Sequence, residues 1–481
     1  MSSVVYYGAV VNPTSLTSYS TLPRCLLSVD TAGTIEWIVE TVESHELQDV
    51  LATKGLVDVH VVEIPDGMFI MPGFIDTHTH APQVPNIGTG GQYELLGWLE
   101  HITFPMEAKF ADSEFARKAY TSVVRRIIDS GTTTCCYYGT VHLEGTKILA
   151  DIVHSFGQRA FVGKCNMNRE SPPNYIEPSV AISVQKTQDL ITYIRTLSKS
   201  SIPTQEPLVQ PIITPRFAIT CTDDLLEALG ELAAAEPTVR IQTHIAENRS
   251  EIEFTRSLFP FAPHYAGVYD HFKLLRKNTI LAHAVHMSNE ELDVVKTRQS
   301  GISHCPTSNF NLNSGVAPVG EYLDRGIKVG LGTDVSGGFS ISILNAIQNA
   351  SIASKVCAFQ HPGHTTASSP STFANKPLTV ATLLYLATMG GAAVCDLDNQ
   401  IGSFARGKSF DALFINVSNA AGNPSLWGLI NGAPLPPTTE ERKVLLDGWL
   451  ERFFFCGDDR NIDKVYIQGR LVGGRSFQAK N

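Results

Sequence analysis

Short apolar runs rich in β-branched and aromatic residues recur along the middle of the chain. Between them lie stretches whose apolar positions repeat with helical period. Eight runs stand out: MFIMPGFIDTHTH (68–80), TTTCCYYG (132–139), RAFVGKCNM (159–167), VQPIITPRF (209–217), VRIQTHIAE (239–247), TILAHAVH (279–286), GISHCPTSN (301–309) and IKVGLGTDVS (327–336). Amphipathic segments over 114–128, 222–235 and 289–297 fall between them and are expected to be helices. A strand–helix alternation of this kind predicts parallel βαβ units, and eight of them match a TIM-type (β/α)8 barrel. An open doubly wound sheet would show the same alternation. The two ends differ from the middle, with short strand-like runs (VVYYGAVV, TIEWIVE, VVEI, FDALFINV, KVYIQGRLVG) broken by turn residues. The expected division is a barrel over residues 72–389 and a small β-sandwich assembled from 1–71 plus 390–481. Segments 361–376 and 418–439, rich in Pro, Ser, Thr, Gly and Asn, read as surface loops.

Composition supports this reading. A chain of 481 residues, 43% hydrophobic and 17% charged, has the material for a large core and does not resemble a disordered polymer. Its net charge of −10, with no Lys/Arg block, makes nucleic acid or an anionic membrane surface a poor partner, although a free neutral base is compatible with it. The nine cysteines, an odd number without a C-x-x-C, fit reduced and buried thiols. The first thirteen residues lack a basic segment followed by an apolar core, and no apolar run reaches about 18 residues. The expectation is a cytoplasmic protein.

Histidine carries the chemistry. His78 and His80 stand two apart on the first run, so both rings face the same side of a strand, here the barrel interior. An isolated H-x-H is more often structural. The fifth run adds His244, the sixth His283 and the eighth Asp334, all near strand ends where barrel enzymes place their sites. Imidazoles with a carboxylate suit a mid-series divalent ion, zinc by default, which acidifies a water. Glu247 lies three residues beyond His244. It reaches this pocket only if the strand has ended and the chain has turned; otherwise it is a carboxylate at the start of the next helix.

The motifs PGFIDTHTHAPQ (72–83), TPRF (214–217), THIAE (243–247), LAHAVH (281–286), HCPTSN (304–309) and GLGTDVSGG (330–338) resemble the guanine deaminase branch of the amidohydrolases. WLEHITFPMEAKF (98–110) and GSFARGKSFDALFINV (402–417) extend the resemblance over nearly the whole chain, and Gln83 with Arg216–Phe217 narrows it to that branch. The resemblance implies His78, His80, His244 and Asp334 as metal ligands, Glu247 as proton shuttle, and His283 as the group orienting water and substrate. It further implies that Gln83, Arg216 and Phe217 hold a guanine base, which His244, Glu247, His283 and Asp334 also face. Members with two metals bridge them by a modified lysine at the end of the fourth strand; VQPIITPRF has none, so one Zn2+ per chain is expected. A homodimer is implied by the family alone. The alternative for Arg216 is a structural salt bridge, and a phenylalanine such as Phe217 is more often core than a base-stacking ring. A glycine-rich turn, Gly88 to Gly91, suits either a simple turn or a mobile cover. His286 reads as flanking structure and His304 as structural or supporting, while His101, His264, His271, His361 and His364 have no evident partners. The other zinc deaminase pattern, H-x-E followed by P-C-x-x-C, is half met by His142 and Glu144 and lacks its second half.

Overall fold

A computed structural model of the chain describes residues 3–56, 59–197, 206–360, 372–426, 436 and 438–478. Each of the eight runs contains a strand: β1 (Phe74–His80), β2 (Thr132–Tyr138), β3 (Arg159–Gly163), β4 (Val209–Pro215), β5 (Arg240–Ile245), β6 (Thr279–His283), β7 (Gly301–His304) and β8 (Lys328–Leu331). Neighbours pair in parallel in chain order from β1 to β8. The ring is closed just past the last strand: Asp334 N–H donates to the His78 carbonyl at 2.8 Å and His80 N–H to the Val335 carbonyl at 3.1 Å. Thr77 Oγ1 adds a bond to the Leu331 carbonyl at 2.8 Å. Barrel and not open sheet is therefore the architecture, because the first and eighth strands meet.

The connecting helices follow from their sequence signals. Ser113–Asp129 begins after Asp112, whose carboxylate accepts from the Glu114 and Phe115 N–H groups, and buries Tyr120, Val123, Val124, Ile127 and Ile128 along one face. Asp223–Ala235 is capped by Thr222, and Asn289–Arg298 by a capping box of Ser288 and Glu291. Towards the N-terminal ends of the strands the barrel is filled by Ile75, Cys136, Phe161, Ile212 and Ile280 packed on Ala392, Val394 and Cys395. All nine cysteines are free, and seven of them are buried.

Both chain ends join one eight-stranded second sheet. Val4–Ser15 and Ser18–Val29 form its long antiparallel pair, and Ala412–Asn416 inserts beside Met68–Pro72. Tyr6 stacks on Phe410 at 4.8 Å, tying the two ends together across about four hundred positions of sequence. The first apolar run is thus divided between two sheets at Gly73, where a Cβ would lie 2.1 Å from Thr133 Oγ1. One long helix, Thr439–Cys456, lies within the C-terminal part for which the sequence pattern predicts only a β-sandwich; Thr438 and Glu441 form its capping box. His361, His364, most of the 361–376 loop and much of the 418–439 loop fall outside the described residues. Among the described residues no helix is long and apolar enough to cross a membrane.

Candidate metal and base-binding site

The C-terminal ends of the strands converge on a cavity of about 370 Å³, its open mouth included, lined by His80, Gln83, Arg216, Phe217, His244, Glu247 and Asp334 together with Leu95, Trp98, Leu99, Glu251 and Leu312. His78 and His283 stand directly behind this lining. All nine residues singled out in the sequence therefore meet in one place.

At one pole, donor atoms of His78, His80, His244 and Asp334 lie within 4.8 Å of one another. That spread is close to the span of a coordination shell with bonds of about 2.0–2.2 Å. Asp334 Oδ1 is 3.0 Å from His78 Nε2 and 3.4 Å from His80 Nε2, and the Nε2 atoms of His80 and His244 face each other at 3.1 Å. His244 Nδ1 donates to the Arg216 carbonyl at 2.5 Å, which leaves its Nε2 as the lone pair pointing inward. His78 Nδ1 and Nε2, His80 Nδ1 and His283 Nε2 are buried without hydrogen-bond partners. Buried polar atoms of this density are rare unless a ligand satisfies them. Burial lowers the pKa of all three imidazoles, His80 and His244 most, so they are held in the neutral form that binds metal. Burial opposes ionisation of Asp334, yet His283, His78 and His80 hold its carboxyl well below the usual range. The donor set fits a divalent ion of the zinc type.

A second trio, Glu247, His283 and Asp334, shares the same carboxylate. His283 Nδ1 donates to Asn309 Oδ1 at 2.9 Å, and its Nε2 lies 3.4 Å from Glu247 Oε2 and 3.6 Å from Asp334 Oδ2. Glu247 reaches the cavity because β5 ends at Ile245 and Ala246 turns the chain with φ +48°, so the regular alternation no longer applies. The next helix starts after it, with Asn248 as cap and Glu251 receiving the Glu247 and Asn248 N–H groups. Burial, then the neighbouring Asp334 and Glu251 charges, raise the Glu247 carboxyl well above its ordinary value. His283 (φ +73°), Ala284 (φ +50°) and Asp334 (φ +45°) share the left-handed conformation. Such backbone is costly for non-glycine residues and concentrates at functional sites.

The other pole is arranged differently. Arg216 is buried with its guanidinium in a two-pronged pair with Glu107, at 2.6 Å and 3.1 Å, and its Cζ lies 5.2 Å from the centre of the Phe104 ring. Gln83 Nε2 donates to the same carboxylate at 2.7 Å and Tyr175 Oη at 2.5 Å, while Gln83 Oε1 accepts from Ser336 N–H at 3.0 Å. The salt bridge considered for Arg216 thus exists, inside the cavity wall rather than in place of it. Phe217 lines the cavity with its ring 6.2 Å from that of His244.

Glu107, Asn309, Tyr175 and Ser314, whose hydroxyl donates to Glu247 Oε1 at 3.3 Å, were not singled out in the sequence. Glu107 ends a short helix, Phe104–Glu107, in an apolar stretch, and an acid on a buried face is the signal that an arginine partner is owed. Of the remaining histidines, His286 bonds the Ser314 carbonyl at 2.7 Å, His264 caps a helix, and His101 packs on Tyr93. His304 is buried outside the cavity with its pKa lowered by burial to about 3. The Gly88–Gly91 turn is tied down by the Trp98 indole, which donates to the Thr89 carbonyl at 3.3 Å.

Eight parallel strands, an H-x-H on the first and an aspartate beyond the eighth define a metal-dependent barrel hydrolase. Residues 69–472 match the Amidohydrolase family, and the chain belongs to it. A guanine deaminase of Dictyostelium discoideum is 40% identical over 473 residues, covering 97% of this chain and 98% of that protein. A guanine deaminase of Mus musculus is 38% identical over 471 residues, covering 98% and 96%. The crystal structure of a guanine deaminase from C. acetobutylicum with guanine in its active site superposes with a TM-score of 0.82 at 31% identity, covering 98% of this chain and 99% of that one.

Proposed function

We propose that this chain hydrolyses guanine to xanthine and ammonia, using one zinc ion held by His78, His80, His244 and Asp334. The observation that carries the reading is the meeting, in one small cavity, of unpartnered imidazole nitrogens with a buried donor pole. The likeness to guanine deaminases over nearly the full chain supports the choice of base. A divalent ion in this set supplies Lewis acidity that makes water a nucleophile at neutral pH.

The residues divide the proton work. Asp334, ionised and 3.6 Å from His283, takes the proton of the attacking water as its oxygen adds to C2 of guanine. Glu247, whose carboxyl is pushed toward its protonated form by burial and by the neighbouring acids, gives a proton to N3, so no anion accumulates on the ring. Asp334 then passes its proton to the amino nitrogen, which leaves as ammonia, while Glu247 recovers a proton from the C2 hydroxyl as the carbonyl forms. Both carboxyl groups end as they began. His283, oriented by Asn309, sits between them and fixes their spacing. Arg216, Gln83 and Phe217 hold the base with C2 over this pair.

Residues 72–389 form the catalytic barrel in this reading, with 1–71 plus 390–481 as a supporting unit, and the enzyme works as a cytoplasmic homodimer in purine catabolism. Conversion of guanine to xanthine followed by absorbance, with ammonia measured in parallel and pterin, cytosine, adenine and triazine substrates as comparisons, tests the activity. Absence of turnover on guanine by metal-replete protein rejects it. Elemental analysis checks the single zinc, and light scattering checks the dimer.

A further inference from the structure

Glu107 does not line the cavity, yet it accepts hydrogen bonds from Gln83, Tyr175 and both terminal nitrogens of Arg216. We infer that Glu107 is a positioning residue that sets substrate choice, by locking Arg216 and Gln83 into an arrangement that accepts 6-oxopurines and refuses 6-aminopurines. This rests on the proposed action on guanine.

A carboxylate only accepts and a guanidinium only donates, but an amide does both and can be turned end for end. Gln83 is therefore the ambiguous member of the pole. In the observed orientation its nitrogen donates to Glu107 and its oxygen accepts from Ser336 N–H. Turned over, oxygen would face the Glu107 carboxylate and nitrogen would face an N–H, two mismatches inside a buried wall. Glu107 and the Ser336 backbone thus hold the amide in one sense from opposite sides. Two N–H groups of Arg216 are engaged by Glu107 and the Phe104 ring lies against its Cζ, so its remaining donors have a fixed direction.

What the pole offers a base follows. Donors from Arg216 and the second Gln83 N–H meet a purine edge carrying O6 and N7, both acceptors; a 6-amino group would bring donor against donor. Glu107 also cancels the Arg216 charge, so this end of the cavity suits a neutral ring. A buried group left unpaired by the wrong substrate is the strongest source of discrimination available to a pocket. The metal pole is insulated from this effect, because His244 is oriented by the Arg216 backbone carbonyl and not by its side chain.

The test compares guanine with 2,6-diaminopurine, which keeps the 2-amino group and replaces O6 by an amine. Glu107→Gln should raise KM for guanine about tenfold or more, keep kcat within a few-fold, retain its metal, and lose at least about tenfold of the wild-type preference for guanine over 2,6-diaminopurine. Tyr175→Phe removes one of the bonds that hold Glu107 and should shift the same ratio in the same direction by a smaller factor, which keeps the test open if Glu107→Gln fails to fold. An equal loss on both substrates, or a fall in kcat at constant KM, overturns the assignment in favour of a purely structural ion pair. Failure of the wild-type chain to act on guanine overturns the parent reading instead. Wild-type turnover of guanine with unchanged preference in folded Glu107→Gln overturns this one alone.

Discussion

The two poles of the cavity are built on opposite principles. At the metal pole, ring nitrogens of His78, His80 and His283 are buried without partners and three imidazoles crowd one carboxylate. At the pole proposed to recognise the base, Glu107, Arg216 and Gln83 satisfy one another, with Tyr175 and Ser336 completing the set. The first arrangement is costly until a ligand arrives, since each unsatisfied buried group costs about 1–3 kcal/mol. The second is settled beforehand and loses little entropy when a base binds. One pole stores a demand for an ion; the other holds a ready-made template.

The sharpest way to break this contrast is at the metal pole. Asp334→Asn should deplete the metal and abolish measurable turnover, because a neutral amide oxygen is a poorer ligand and a poorer base than the carboxylate. Removing the ion by chelation should lower the Tm of the wild-type chain, by the equivalent of about 2.7 kcal/mol where free ion stands a hundredfold above its Kd. Full metal occupancy in Asp334→Asn would mean that the carboxylate is not a ligand.

Glu247→Gln separates proton transfer from metal binding. It should keep its metal and lose kcat by about 10²–10⁴. Loss of the metal would make Glu247 a ligand, and near wild-type turnover would return it to the role of a residue that merely precedes a helix cap.

At the recognition pole the cost appears as instability. Arg216→Ala leaves the Glu107 carboxylate buried without its cation, and breaking such a pair costs about 3–5 kcal/mol of folding free energy. The variant should therefore unfold at lower denaturant as well as show a raised KM, and Arg216→Lys should recover much of the stability but not the KM, because an ammonium cannot supply the planar fork. Equal recovery of both would show that charge alone matters there.

The smallest effect is in pH. Burial raises the Glu247 carboxyl in the folded chain, so its protonated form is favoured on folding. The stability it contributes is fully present below the unfolded value of about 4.3 and is lost as pH rises toward the folded value. Metal-free wild-type protein should accordingly lose stability over that interval, and Glu247→Gln, which cannot ionise, should show a shallower slope by chemical denaturation. Identical slopes would mean that Glu247 is ionised in the folded state.

The order of elements was legible in the chain because it is local. Short apolar, β-branched runs predict the eight strands, and residues two apart on β1 had to place His78 and His80 on one face. The ends of β5, β6 and β8 supplied His244, His283 and Asp334 for the same reason. What sequence left open about Glu247 depended on where β5 stops, and a single left-handed residue, Ala246, decides it. Closure of the sheet, too, waited on hydrogen bonds between His78 or His80 and the chain beyond β8. The partnership of Glu107 with Arg216, and of Asn309 with His283, lay further out of reach. Those side chains meet only because the barrel brings distant strand ends to one mouth, and no period along the chain records which buried acid will face which arginine. Residue type and spacing determine which groups are available at the ends of the strands; tertiary packing decides which are left wanting a partner and which have already found one.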